Sequence, residues 1–267
     1  MPAVLTYHSQ NIAGHSTANN DHVAFAGDLK ALYTSGTHIV SLSQLADWLD
    51  DKNDSLHEPC VCLTFDDGCD FDIKDIEWPG FGLQRSMVGI MQDFQQRHGR
   101  DALPGLHATS FVIASPQARK IIDRKSLFGQ GWMSEAWWAN PGGLLAVANH
   151  GWDHNHPDLL EHEGSARGFG TIDTHEQCRQ QVIDAAEYIR GRSGTWPGFF
   201  AYPFGESSRY IREEFFPGHA EQHLTRAAFG TRAGSVTRDS DRWNLPRYVC
   251  GRDWRSPEQL LDLLATV

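Results

Sequence analysis

The chain is short of positive charge. Its 23 lysines and arginines stand against 34 aspartates and glutamates, a formal net charge of −11 with a pI near 5.6. Nucleic acid and anionic membranes call for a basic footprint, so neither is expected as a partner. No stretch approaches ~18 uninterrupted apolar residues, which excludes an expected transmembrane helix. The opening MPAVLTYHSQ has no basic segment followed by a long apolar one. It does not read as a secretory signal, and a cytoplasmic location is the expectation. The five cysteines, Cys60, Cys62, Cys69, Cys178 and Cys250, are odd in number and scattered. They make no disulfide framework and read as buried free thiols. Repeats, low-complexity tracts and Pro/Ser-rich linkers are also missing, so residues 1–267 are expected to form one domain.

What is present is an alternation of short apolar runs with segments of helical period. AVLTYH, HIVSL, CVCLTF, HATSFVIAS, LLAVANH and FFAYPF read as strands, and AAFGTRAG and LPRYVC carry two late ones. Between them, Phe25–Tyr33 and a segment capped by Ser43 read as helices. So do Arg85–Arg97, Thr174–Arg190 with Thr174 as its cap, the stretch around Ser208–Phe215, and Pro257–Leu264 capped by Ser256. Ser134–Trp138 reads as the start of a short helix. Strands alternating with helices imply a parallel sheet covered by helices. Seven or eight such units favour an α/β fold closed into a distorted (β/α) barrel. Chemistry in barrels gathers at the C-terminal ends of the strands, where His8, Asp66, Asp67, His150, Tyr202–Phe204 and Arg247 fall.

Two motifs carry the chemistry. In VCLTFDDGCDFD a β-prone run ends in Asp66 and Asp67 and then a glycine. Asp and Gly suit a turn, but consecutive residues at a strand end also point in different directions. One carboxylate can face a metal while the other handles a proton. In NHGWDHNHPDL, His150 and His154 are four apart. A helical turn would put both imidazoles on one side, as zinc and similar ions use. His156 is a third candidate, and a polar His-rich loop is the plain alternative. One carboxylate with two imidazoles leaves coordination positions open for water and substrate.

TFDDG with a downstream HxxxH and FAYPFG resembles the polysaccharide deacetylases, carbohydrate esterase family four, whose nodulation-type members deacetylate chitooligosaccharides. The resemblance runs from LTYH to LPRYV. It implies a distorted (β/α) barrel of about seven strands and hydrolysis of an acetamido group. It implies one divalent ion, zinc first with cobalt, nickel or manganese open, held by Asp67, His150 and His154. It makes Asp66 the general base and gives the oxyanion the backbone N–H of Phe204, beside which ordinary strand-end packing stays open. Tyr202 and Trp152 are the candidate substrate contacts. The expected partner is a small-molecule or saccharide substrate, and a homo-oligomer is left open.

The departures shape the remaining expectations. The family usually has an arginine where this chain has Ala201; Arg247 could supply the guanidinium from a later strand, or lie at the surface. The family's C-terminal histidine has no counterpart in LLDLLATV. His8, at the end of the first strand, is proposed as general acid, a structural histidine being the alternative. The family's proline after the second histidine follows His156 here, so His156 could replace His154. The stretch 70–105 reads as an insertion that, with Trp132, Trp137 and Trp138, could wall the substrate or could be buried area. Two other functions stay open: hydrolysis of a small cyclic imide or ureide on the same fold, and an inactive carbohydrate-binding protein.

Overall fold

Ala3–Tyr7 (β1) is buried along its whole length in the computed structural model, which describes residues 1–52, 56–156, 159 and 168–266. The other strands are His38–Ile39 (β2), Cys60–Phe65 (β3), Ile76–Trp78 (β4), Gly82–Gln84 (β5), Ala108–Val112 (β6), Leu145–Asn149 (β7), Phe199–Ala201 (β8), Ala227–Phe229 (β9) and Tyr248–Val249 (β10). The main sheet runs β10-β1-β3-β6-β7-β8-β9, with β2 on β3. Every pairing in it is parallel. Its ends come together through one segment: Leu245 bridges Phe229 of β9, and three residues later Tyr248 pairs with Leu5 of β1. The sheet therefore curls into a distorted (β/α) barrel of seven strands, as the alternation implied.

Strand alternation sorts the core into two layers. Val4, Cys62, Phe111, Ala148, Ala201, Phe229 and Leu245 fill the barrel. Leu5, Tyr7, Leu63, Phe65 and Val112 face outward under helices Asp21–Thr34, Met87–His98 and Ala185–Ser193. Burial on both faces explains why these strands read as continuous apolar runs. All five cysteines are buried free thiols. Among the described residues, no helix is long and apolar enough to cross a membrane.

Local signals place most helix starts. Thr174, Ser256 and Ser86 accept from backbone N–H groups in the first turns that follow them, which meets the need of unpaired N-terminal donors. Three expectations shift. HIVSL keeps only His38–Ile39 as strand, because Ser41 with Gln44 makes a capping box and starts helix Leu42–Leu49 earlier than Ser43 would. Ser134–Trp138 is turn rather than helix. The 70–105 stretch holds the β4–β5 hairpin and the crossover helix Met87–His98 that a parallel β3–β6 connection needs.

Candidate metal centre

β3 stops where its backbone reverses. Asp66 still donates its N–H to Tyr7 O at 3.1 Å, but Asp67 has φ 75° and Gly68 φ 69°. A left-handed φ is costly for most residues and easy for glycine. A Cβ on Gly68 would also lie 2.9 Å from Val112 Cα. The reversal aims the two carboxylates apart, as the adjacent pair implied.

Asp66 points into the barrel. Arg247 Nη1 donates to its Oδ1 at 2.7 Å and Nη2 to its Oδ2 at 2.8 Å, a two-pronged pair. Arg247 is 0% exposed, which rules out the surface alternative, and its Nε donates to Gly230 O at 2.9 Å. Burial raises the Asp66 pKa, but the charge and hydrogen bonds of Arg247, joined by His150 and His8, together outweigh it and hold the carboxyl below its ordinary range. Arg247 thus provides the guanidinium that Ala201 cannot.

Asp67 turns the other way. Its Oδ1 lies 3.5 Å from His150 Nε2 and 3.3 Å from His154 Nε2, while Gln10 Nε2 donates to its Oδ2. His150 Nδ1 is 2.8 Å from Ala201 O. A carbonyl only accepts, so Nδ1 carries a proton and Nε2, which faces Asp67, is the nitrogen available to ligate a metal. Donor atoms of Asp67, His150 and His154 all lie within 4.8 Å of one another. Burial pushes the Asp67 pKa up, and hydrogen bonds from the two imidazoles bring it well below normal. At His154 burial prevails and lowers the pKa, favouring the neutral, ligating form. A carboxylate and two imidazoles converging this closely fit a zinc-type ion.

The histidines do not meet on a helical turn, as their spacing suggested. Residues 150–156 form a loop in which His154 has φ 66° and Asn155 φ 41°. Gln181 braces it: Trp152 N donates to its Oε1 at 2.9 Å, and its Nε2 donates to Asp153 Oδ1 at 2.7 Å. The donor set contains His154; His156 instead lines an adjoining cavity. Pro157 and Asp158 of that motif lie outside the described residues.

His8 faces a chamber of about 250 Å³ shared with Asp66, Asp67, His150 and His154. Its backbone N–H donates to Asp21 Oδ2 at 2.7 Å, and its Nδ1 is a buried atom with no hydrogen-bond partner among the described residues. Phe204 lies at the edge of the same chamber. It has φ 58°, and its half-exposed ring centres 4.5 Å from that of His154.

The two substrate contacts expected from the sequence lie away from the chambers. Tyr202 is 0% exposed, packs on Phe200 and Phe216, and donates its hydroxyl to Trp243 O at 2.8 Å. It joins Phe200 in the packing outside the barrel instead of reaching the mouth. Trp152 packs edge-on against Tyr188 in the outer layer and borders neither chamber. Trp137 and Trp138 are core residues, whereas Trp78 of the hairpin does wall a cavity. Sequence reasoning missed Gln10 and Gln181. Gln10 had a weak signal, two residues beyond His8 in TYHSQ, and Gln181 had none beyond its place in a helical segment.

A family model for polysaccharide deacetylase matches residues 104–215. No curated protein sequence matches the chain. Several solved structures share its fold, and three of them show the extent of the likeness. Streptococcus pyogenes deacetylase PplD in complex with acetate is 18% identical with a TM-score of 0.65, over 98% of this chain and 97% of that one. IcaB from Ammonifex degensii is 18% identical with a TM-score of 0.65, over 98% and 96%. A de-N-acetylase from Aggregatibacter actinomycetemcomitans is 14% identical with a TM-score of 0.61, over 98% and 99%. The chain is thus polysaccharide-deacetylase-like: throughout in its fold, and over 104–215 in its family signature.

Proposed function

We propose that this protein is a metal-dependent hydrolase that removes the N-acetyl group of an amino sugar or saccharide. The observation that carries the proposal is the convergence of Asp67, His150 and His154 beside the Asp66–Arg247 pair and His8 in one chamber. Zinc is the first choice of ion, with cobalt, nickel or manganese as alternatives. A divalent ion held there would polarise the acyl carbonyl and acidify water.

The chain's own groups then divide the work. Asp66, kept ionised by Arg247, takes a proton from the attacking water. The Phe204 backbone N–H is assigned to the oxyanion that develops as the carbonyl carbon becomes tetrahedral. His8 gives a proton to the nitrogen as the C–N bond breaks, leaving a carboxylate and a free amine. Gln10 and the Ala201 carbonyl hold Asp67 and His150 in their ligating orientations. The saccharide assignment is supported by the family match over residues 104–215, and the acetyl assignment by neighbours that are a deacetylase and a de-N-acetylase.

The test is metal content and acetate release from chitooligosaccharides. Protein purified without chelator should carry about one ion per chain, and Asp67→Ala should lose both the ion and turnover. Wild-type protein with no ion, and none taken up on titration, sinks the reading. His8→Ala should keep the ion and lose about 10²–10⁴ in kcat; a loss of only a few-fold removes His8 as the acid.

A further inference from the structure

The two imidazoles of the metal centre are held in different ways. His150 is fixed through its own ring, with Nδ1 on Ala201 O. His154 Nδ1 is a buried atom with no hydrogen-bond partner among the described residues. A ligating histidine ordinarily gives its second ring nitrogen a partner, which sets the ring's orientation. Whatever orients His154 therefore acts through its backbone. That backbone is unusual, because His154 and Asn155 are both left-handed. Residues other than glycine stay in that region only where their surroundings fix them.

We propose that Gln181 is a positioning residue for the metal: it sets the affinity of the centre by holding His154 in its ligating orientation. Gln181 is buried on the π-helical turn Arg179–Asp184, and turns of this kind often accompany functional sites. Its Oε1 accepts from Trp152 N at 2.9 Å and from Asp153 N at 3.4 Å, and its Nε2 donates to Asp153 Oδ1 at 2.7 Å. The same Oδ1 accepts from Asn155 N at 2.9 Å. The backbone is thus clamped on both sides of His154. The approach is close, since a Cβ on Gly151, which has φ 88°, would lie 3.1 Å from Gln181 Oε1. One residue further along the turn, Val182 O accepts from Asn149 Nδ2 at 2.9 Å, which ties the start of the segment to the same turn. Asp67 and His150 have supports of their own in Gln10 and Ala201 O, so the loss of Gln181 falls on His154. The inference rests on the metal-centre reading and goes beyond it by assigning the second imidazole's support.

The experiment measures the zinc Kd by chelator competition in the wild-type protein, Gln181→Met, His154→Ala and the double variant. Met is close to Gln in size but neither accepts from the two N–H groups nor donates to Asp153. Gln181→Met should weaken zinc binding by about 10–100-fold, the usual cost of removing such a support. In the His154→Ala background the same substitution should change the Kd by less than about twofold, because the residue it acts through is gone. Where Gln181→Met does not fold, Gln181→Glu takes its place; it keeps an acceptor for the two N–H groups but sets a carboxylate against Asp153, and at least a tenfold loss is expected. Wild-type affinity in the folded variant overturns this inference alone. So does a loss as large with His154→Ala as without it, which would make Gln181 a support of the fold at large. No zinc taken up by the wild-type protein overturns the metal-centre reading and this inference with it.

Discussion

At the mouth of the barrel, Asp66 and Asp67 are enclosed beside a guanidinium and two imidazoles. In the layer between sheet and helices, Asp72 and Asp28 are enclosed beside hydroxyls and an indole: Ser110 donates to Asp72 at 2.6 Å, and Tyr7 and Trp254 donate to Asp28 at 3.0 and 2.8 Å. Burial pushes all four carboxyls up. At the mouth the cationic and imidazole partners overturn it, and both pKa values fall. In the outer layer neutral donors do not, and Asp72 rises to about 7 and Asp28 to about 6. Neutral hydrogen bonds return less than desolvation takes from a buried charge; a nearby positive charge returns more. The fold thus keeps charged carboxylates where it would do chemistry and protonatable ones where it packs.

The comparison breaks most sharply at Arg247. Arg247→Met would leave Asp66 buried without its cation, and stability should drop by about 3–5 kcal/mol. Urea unfolding at neutral pH measures this, and a loss below about 1 kcal/mol would mean that solvent already screens the pair. Adding Asp66→Asn to that variant should restore part of the loss, because the stranded charge is then gone.

In the outer layer the sign is opposite. A raised native pKa means that the folded state holds its proton more tightly, so the stabilisation is full below the unfolded value near 4 and is lost as pH rises through the folded value. For Asp72 that window runs from about pH 4 to about 7. Asp72→Asn should flatten the decline and be more stable than wild type at pH 8, by on the order of 2–4 kcal/mol. For Asp28 the window closes near pH 6, and Asp28→Asn should gain on the order of 1–3 kcal/mol above it. Thermal unfolding between pH 4 and 8 tests both; parallel curves for variant and wild type would show that the acids are already ionised when folded.

Sequence reasoning succeeded where the signal is local. TFDDG announced a strand end and a reversal, and Thr174 and Ser256 announced helix starts. It misplaced what depends on the direction a side chain faces after the chain has closed on itself. Tyr202 sits in a strand-terminal motif yet points into packed aromatic residues. His150 and His154 meet as expected, but through positive-φ residues and the Gln181 brace instead of a helical turn. Trp78 walls a cavity beside Asp67 from a hairpin within the stretch read as a possible substrate wall.

Two kinds of information therefore divide this protein. Residue identity and short-range order settled the alternation of strands and helices, the buried thiols, and the pairing of a double aspartate with two histidines. Those follow from turn chemistry, capping and periodicity, which act over a few residues. Tertiary structure alone decided that Arg247 is the partner of Asp66, 181 residues away, that His8 shares their chamber, and that two cavities meet at Asp67. Each depends on strand register around a closed barrel, where neighbouring positions along one strand face opposite layers. No local pattern records which distant strand end supplies the facing charge.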